Sequence, residues 1–205
     1  MNRVLPLIIV ALALLAFATL FLVAGPAMQI RTQEASEYLA PYTKAQQRGR
    51  DQYVGLGCVY CHSQQPRAPE QAPDNLRGWG RPSTPADYAY DKPHLLGTMR
   101  TGPDLLNVAV RLPSVSWHLT HLYQPRAIVE QSIMPAYPFL FEEKEQAEKD
   151  DVVVQLPEKY RPEGKVIVAR QAALDLVDYL LSLDRTYPAA ETDLRDNGFF
   201  SKEGS

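Results

Sequence analysis

Cysteine is almost missing from this sequence: 2 in 205 residues are too few for a disulfide-built scaffold or for a four-thiolate zinc site. An excess of positive charge is missing as well. With 21 Lys and Arg against 24 Asp and Glu the formal net charge is −3, so no basic field follows a phosphate backbone and nucleic acid is excluded as a partner. Glycine is sparse at 11 residues, none of them in a phosphate-cradling loop, and the 17 Pro form no periodic array, which excludes collagen-like and low-complexity architectures. No Ser/His/Asp arrangement and no clustered set of metal-binding carboxylates occurs, so the chain has no catalytic site of its own. The charge that is present is uneven, with 11 basic and 8 acidic residues over 31–126 and 9 basic and 16 acidic over 127–205.

One long hydrophobic run is present. In residues 4–23 only Pro6 and Thr19 are not apolar, and 20 helical residues span about 30 Å, the thickness of a bilayer core. Pro6 falls in the first turn, where a missing N–H costs little. A cleaved secretory signal is the alternative, since Ala24-Gly25-Pro26-Ala27 is small enough for a peptidase. Signal cores, however, run to about 7–15 apolar residues, which favours a retained anchor. Arg3 is the charge before the span, so the positive-inside rule leaves the N-terminus in the cytoplasm and exports everything from Met28 onward. The expected division is an anchor at 1–27, a polar tether at 28–42, a folded domain at 43–187 and a tail at 188–205.

Within the exported part, Thr43 and Gln46 form a capping-box signature for a helix over residues 44–56, ended by Gly57. Residues 65–93 combine six prolines with Trp79, Tyr88 and Tyr90; linkers are poor in aromatics, so an ordered irregular loop is expected. A short helix is predicted over 115–123, and a solvated surface element over the acid-rich stretch 142–151. Residues 152–156 and 165–168 flank Pro157, Pro162 and Gly164 and predict a small β-hairpin. Ala169, Ala173, Leu176, Leu180 and Leu183 recur at steps of four and three, giving one apolar face on a last helix of about 15 residues.

The chemistry concentrates in Cys58-Val59-Tyr60-Cys61-His62, the C-x-x-C-H signature of covalent haem attachment. Two thiols about one turn apart add to the two vinyl groups of the porphyrin, and the adjacent imidazole then reaches the iron. A thioredoxin-like C-x-x-C needs a βαβ context that is absent here. The sixth ligand must be a thioether or an imidazole, and the candidates are Met28, Met99, Met134, His94, His118 and His121. Met134 is favoured. Pro135 holds it extended, and its three rotatable bonds let it reach inward, whereas Met28 sits at the membrane exit and Met99 precedes a tight turn. His118 and His121, three apart on a predicted helix, read as surface or satisfied polar residues, with bis-histidine ligation the alternative. Trp117 reads as core.

These residues carry a resemblance. Pro41-Tyr42-Thr43, Gly49-Arg50-Asp51-Gln52-Tyr53, Gly57-Cys58, Cys61-His62-Ser63-Gln64, Tyr90-Asp91-Lys92-Pro93, Arg100-Thr101-Gly102-Pro103-Asp104-Leu105, Trp117-His118, His121-Leu122, Pro125-Arg126 and the run from Ser132 to Tyr137 resemble the mono-haem subunit II of cbb3-type (C-family haem-copper) cytochrome c oxidases. The resemblance implies an all-α, class I cytochrome c fold on one membrane helix, with one covalent haem c and the domain on the periplasmic side of a bacterial inner membrane. It implies that Pro103 presents its carbonyl to His62, that Leu105 packs on the haem and that Met134 is the distal ligand. Arg100, Trp117 and Tyr137 are counted with them among the cofactor-contacting residues. Ala109-Val110-Arg111-Leu112 stands where the family tends to have glycine-glycine-arginine-tyrosine, so Arg111 alone carries over as a propionate partner. A helical segment, not a hairpin, would be expected over 152–168. The implied function is electron transfer from a soluble or membrane-bound cytochrome c to a polytopic haem-copper catalytic subunit that reduces oxygen. The alternatives are an electron-feeding subunit of a haem-copper nitric oxide reductase, a self-standing anchored shuttle, and a haem sensor of small gases.

Overall fold

The structure, a computed structural model, describes residues 4–31 and 34–189; Arg3, two residues of the expected tether and the tail beyond residue 189 lie outside it. The described residues divide into two units, 4–39 with 84–91, and 40–83 with 92–188, with residue 189 assigned to the first.

In the first unit α1 (Val4–Ala18) continues through one widened turn at Thr19–Ala24 into α2 (Gly25–Arg31). The Gly25 N–H reaches back five residues to the Leu20 carbonyl, which widens the turn. Phe17 and Phe21, one turn apart, touch across it with ring centroids 4.6 Å apart. The helix runs over Val4–Gln29, 26 residues, and its most apolar 18 residues have a mean hydropathy of 3.0, none of them buried. At 1.5 Å per residue this is about 39 Å, long enough to cross a bilayer core of about 30 Å, as expected of an anchor. The helix persists to Arg31, four residues into the stretch read as tether, because Gln29, Ile30 and Arg31 keep good helical propensity after the apolar run has ended.

The second unit is helical with one small sheet. Its first helix, α3 (Lys44–Gly55), starts at the capping box: Thr43 Oγ1 accepts the Gln46 N–H at 3.2 Å and Gln46 Oε1 accepts the Thr43 N–H at 3.0 Å. Beyond it lie the one-turn α4 (Val108–Arg111), α5 (Val115–Tyr123) and α6 (Gln171–Leu181). The predicted span of α5 is the observed one, capped by the Ser114 hydroxyl accepting from the Trp117 N–H. α3 crosses α6 so closely that a Cβ on Gly49 would lie 1.9 Å from the Asp175 carbonyl oxygen. Beside the crossing, the Arg48 guanidinium donates twice to Asp175, at 2.6 and 2.8 Å, and holds that carboxyl below the usual carboxylate range. Tyr53 of α3 and Tyr179 of α6 fill the core behind it with centroids 5.6 Å apart.

Two expectations are corrected. β2 (Val166–Ala169) forms its ladder with β1 (Phe141–Lys144), antiparallel with Phe141 opposite Ala169, and the expected hairpin is reduced to one antiparallel bridge, Val153 opposite Val168, with the segment 152–156. The latter segment lies along the other side of β2, joined by Val154 N–H to Ile167 O at 2.8 Å and Ala169 N–H to Val152 O at 2.9 Å. It forms no full ladder, since Pro157 ends the run; the Gln155 carbonyl, on the edge away from β2, accepts from the Thr120 hydroxyl of α5 at 2.9 Å. β1 was hidden in the sequence by its charges: Phe141 faces the core while Glu142 and Glu143 face solvent. The last helix is also shorter than expected, 11 residues, because Ala169 is spent on β2 and Leu183, though fully buried, lies past the helix end.

The loop of residues 65–83 is irregular and ordered, as expected, and its centre is the fully buried Asp74. That carboxylate accepts the Arg67 N–H at 2.7 Å and Arg100 Nη1 at 2.7 Å, while Arg77 and Arg100 lie over the Trp79 ring.

The α3–α6 crossing generates a test on one helix. Gly49→Ala is expected to lower the unfolding free energy by about 1–3 kcal/mol through overpacking, whereas Gly55→Ala, whose Cβ meets nothing within 4 Å, is expected to raise it by a few tenths to about 1 kcal/mol. Denaturant unfolding of both variants checks this; equal effects would show that the crossing has room to spare.

Candidate functional site

Gly57, with φ at 76°, turns the chain out of α3 into the tight turn Cys58–Tyr60. The Cys61 and His62 N–H groups both return to the Cys58 carbonyl, at 3.1 and 3.0 Å, which folds the C-x-x-C-H motif into a single compact turn. Cys58 is half-buried against the core and Cys61 is exposed. Burial pushes the Cys58 thiol up to about 11, so it is held protonated. The Tyr137 hydroxyl lies near the Cys58 thiol and works against that rise, and Tyr137 is not in the wall of the cavity.

His62 is oriented by its neighbours. Its Nδ1 lies 2.8 Å from the Pro103 carbonyl oxygen; a carbonyl only accepts, so Nδ1 carries the proton and Nε2 keeps its lone pair. Burial pushes the imidazole below its ordinary value, opposed by the Pro103 carbonyl and Asp104, which keeps the ring neutral. Gly102 leaves room for that ring: a Cβ there would lie 2.2 Å from His62 Cε1. Behind the ring two loops are zipped together by Gly102 N–H to Cys61 O at 2.9 Å and Leu105 N–H to Ser63 O at 2.8 Å. The fully buried Asp104 accepts from Ser63 Oγ, the Gln65 N–H and the Leu106 N–H at 2.6, 2.7 and 3.0 Å. Burial raises its carboxyl and these donors pull it back down.

In front of His62 opens a cleft lined chiefly by apolar side chains. Its walls bring together His62, Pro103, Leu105, Arg111, Trp117 and Met134, residues spread over more than seventy positions of sequence. Val108, Leu112, Leu122 and Leu180 add apolar surface, and His118 and His121 complete the lining. Met134 is delivered by a loop fastened at two points: the Met134 N–H donates to Ser132 Oγ at 3.2 Å, and the Tyr137 N–H donates to the Leu122 carbonyl of α5 at 2.9 Å. Met28 and Met99 are exposed, and neither Met99 nor His94 lines the cavity. His118 is a satisfied core histidine, as read from the sequence, with Nε2 donating to the Leu112 carbonyl at 2.8 Å.

Besides Tyr137, two residues depart from expectation. Arg100 is not a wall of the cavity. Its three nitrogens are spent on Ser63 Oγ, Asp74 and the Gln65 carbonyl, at 2.9, 2.7 and 2.7 Å, so it braces the loops behind His62. His121, read as a surface or satisfied residue, lines the cavity, stacked on Trp117 with centroids 4.7 Å apart. The spacing from Trp117 to His121, one helical turn, was the available signal: it places both rings on one face of α5.

The arrangement has the donor set of a haem site: two thiols on one turn, an imidazole with Nε2 left for a metal, a thioether, and apolar walls. Comparison with known families agrees. The family described as cytochrome c oxidase, mono-heme subunit/FixO matches residues 2–163. The chain belongs to the FixO family. It is accordingly an electron-transfer subunit of a cytochrome c oxidase, bearing one haem, and the resemblance read from its motifs is the family found. The FixO match spans the apolar helix, the C-x-x-C-H turn and Met134, and ends before β2 and α6. No curated protein matches the chain.

For this FixO chain, Gly102→Ala is expected to displace the His62 ring from Pro103. The yield of haem-bearing protein should fall and unfolding should come earlier by about 1–3 kcal/mol. Unchanged haem content and stability would show that the ring has another place to go.

Proposed function

We propose that this chain is a membrane-anchored c-type cytochrome that passes electrons from a soluble or membrane-bound cytochrome c to the haem-copper catalytic subunit of a cbb3-type oxidase. The observation that carries the proposal is the His62 Nδ1–H bond to Pro103, which leaves Nε2 for iron in a cavity that also receives Met134. The crossed pair α3 and α6, the first and last helices of the unit, supports a class I cytochrome c fold. The apolar helix supports a single-pass anchor, and Arg3 before it an orientation with the domain in the periplasm.

Bound haem would supply a one-electron ferric/ferrous couple. The Cys58 and Cys61 thiols would hold it by addition across its vinyl groups, sulfur to one carbon and hydrogen to the next, with nothing leaving. His62 would ligate through Nε2, and the Pro103 carbonyl, by drawing on the Nδ1 proton, makes that nitrogen a stronger donor. Met134 would ligate through its thioether, which favours the ferrous state and raises the potential. Leu105, Val108, Leu122 and Leu180 exclude water, and the bonds fixing both ligand loops limit reorganisation when charge changes.

Two measurements test this reading. Haem should stay on the polypeptide through acid-acetone extraction and denaturing electrophoresis, and a Cys58→Ala, Cys61→Ala double variant should lose it; an unstained wild-type chain would end the c-type assignment. Met134→Leu keeps apolar volume without a donor. The ferric variant should lose the weak charge-transfer band at the red edge of the visible, the ferrous variant should bind carbon monoxide, and the midpoint potential should drop. Retention of all three wild-type properties would place the sixth ligand elsewhere.

A further inference from the structure

Leu76 is 85% exposed, more than any other large apolar residue among the described residues, those of the apolar helix included. It stands on a braced turn. The Arg77 and Trp79 N–H groups return to the Pro73 and Asp74 carbonyls at 3.1 and 2.9 Å, and the Gly78 N–H returns to the Asn75 carbonyl at 3.0 Å. Asn75 Oδ1 accepts the Leu76 N–H itself at 2.8 Å. Below the turn, Asn107 Nδ2 donates to the Trp79 carbonyl at 2.8 Å, and the buried Asp74 ties the turn to Arg67 and Arg100. The backbone of the turn is thus largely satisfied by the chain itself, and what it offers outward is side chains. Beside Leu76 stands Arg77, exposed, resting on the half-buried Trp79 ring and with no carboxylate partner among the described residues. The segment 98–100, bound to the loop by Arg67 Nη2 on the Thr98 carbonyl at 3.4 Å, adds the exposed Met99. Glu70 is the one exposed acid of residues 65–83.

We propose that the turn from Asp74 to Trp79 is a docking knob for the haem-copper catalytic subunit: Leu76 enters an apolar socket whose rim carries a carboxylate for Arg77. The proposal rests on the reading of this chain as a subunit that feeds that partner, and adds the surface by which it is held. The chain belongs to a family of oxidase subunits, so a permanent partner has to cover part of its surface, and covering the most exposed apolar side chain releases the most unfavourable hydration. Trp, Arg and Met are enriched at the centres of interfaces, and an anchor filling a pocket carries a large share of the binding energy. A turn already fixed loses little entropy when it docks. Other occupants fit less well. Adhesion to a bilayer grows with apolar area, and a single rigid leucine supplies little. A soluble donor is steered by a broad field of charge, whereas one unpaired arginine beside an apolar tip selects by fit.

The experiment uses the complex purified in mild detergent through the full-length, haem-bearing chain, as wild type and as Leu76→Asp and Arg77→Glu. Neither residue lines the cavity, so covalent haem and the methionine charge-transfer band should be unchanged in both variants. Each should bring down several-fold less catalytic subunit, quantified by mass spectrometry, and Leu76→Met should return the wild-type amount. In the wild type, trypsin should cut the Arg77–Gly78 bond several-fold more slowly in the complex than in the chain separated from it. Full recovery of the catalytic subunit by both charged variants, or equal cleavage in complex and separated chain, overturns the proposal. Slower cleavage of the separated chain in nanodiscs containing phosphatidylglycerol than in nanodiscs of phosphatidylcholine makes the turn a lipid contact and overturns it too. Should a variant lose its haem, the cleavage of the wild type decides alone. Failure of the underlying reading is seen separately: a wild-type chain that carries covalent haem and brings down no haem-copper subunit is a self-standing shuttle, and it would take this proposal with it.

Discussion

The contact on which the rest of this structure depends is the hydrogen bond from His62 Nδ1 to the Pro103 carbonyl. An imidazole can offer a metal either of two nitrogens, and it can rotate; one carbonyl removes both freedoms. The carbonyl in turn has to be held still, and a group of buried polar residues around Asp104 does this. Asp104 ties its own loop to Ser63 and Gln65, and Arg100 ties the same segment to Asp74. Gly102 contributes by having no side chain where the ring must lie. Buried charges are expensive, and the arginine–aspartate pair Arg100–Asp74 is close to fully enclosed. An enclosed ionic brace of this kind gives positional definition more than net stability, which is what a ligand-bearing loop requires.

Much of the site was legible in the sequence because its chemistry is local. Two thiols and an imidazole within five residues form one turn whatever surrounds them, and the Thr43–Gln46 capping box and the span of α5 are equally short-range. Met134 was legible for a related reason, since Pro135 restricts the backbone next to it. What escaped depends on distant partners. The pairing of β2 with Phe141–Lys144 joins segments more than twenty positions apart, through a strand whose charges disguise it, and no periodicity records it. Arg100 was grouped with the cofactor because it stands in the motif that includes Pro103, yet its side chain goes to the far side of that loop, toward Asp74. His121 shares a face of α5 with Trp117, which its spacing records, but what that face lines is decided by distant loops.

The helix crossing and the cavity are linked through α6. Gly49 lets α3 and α6 approach backbone to backbone, and the opposite side of α6 supplies Leu180 to the cavity. A glycine remote from the ligands thus sets how deep the pocket is. Tyr179, on the same helix, accepts from Gln64 Nε2 at 3.0 Å just past the C-x-x-C-H turn, so α6 is also registered against the loop that presents His62.

The small sheet has a bearing on the life of the chain before it is complete. Val166-Ile167-Val168 is the most strand-forming segment of the domain, the type of sequence that recruits identical segments from other molecules when its edges are bare. Here one edge of β2 is closed by β1 and the other by the backbone of Val152 and Val154. The outward edge of the assembly is left to β1, whose Glu142, Glu143 and Lys144 repel a second copy more than they invite it. A chain of this size passes through a period with an incomplete core while it folds, and a strand sheathed on both sides offers other molecules no bare backbone edge during it.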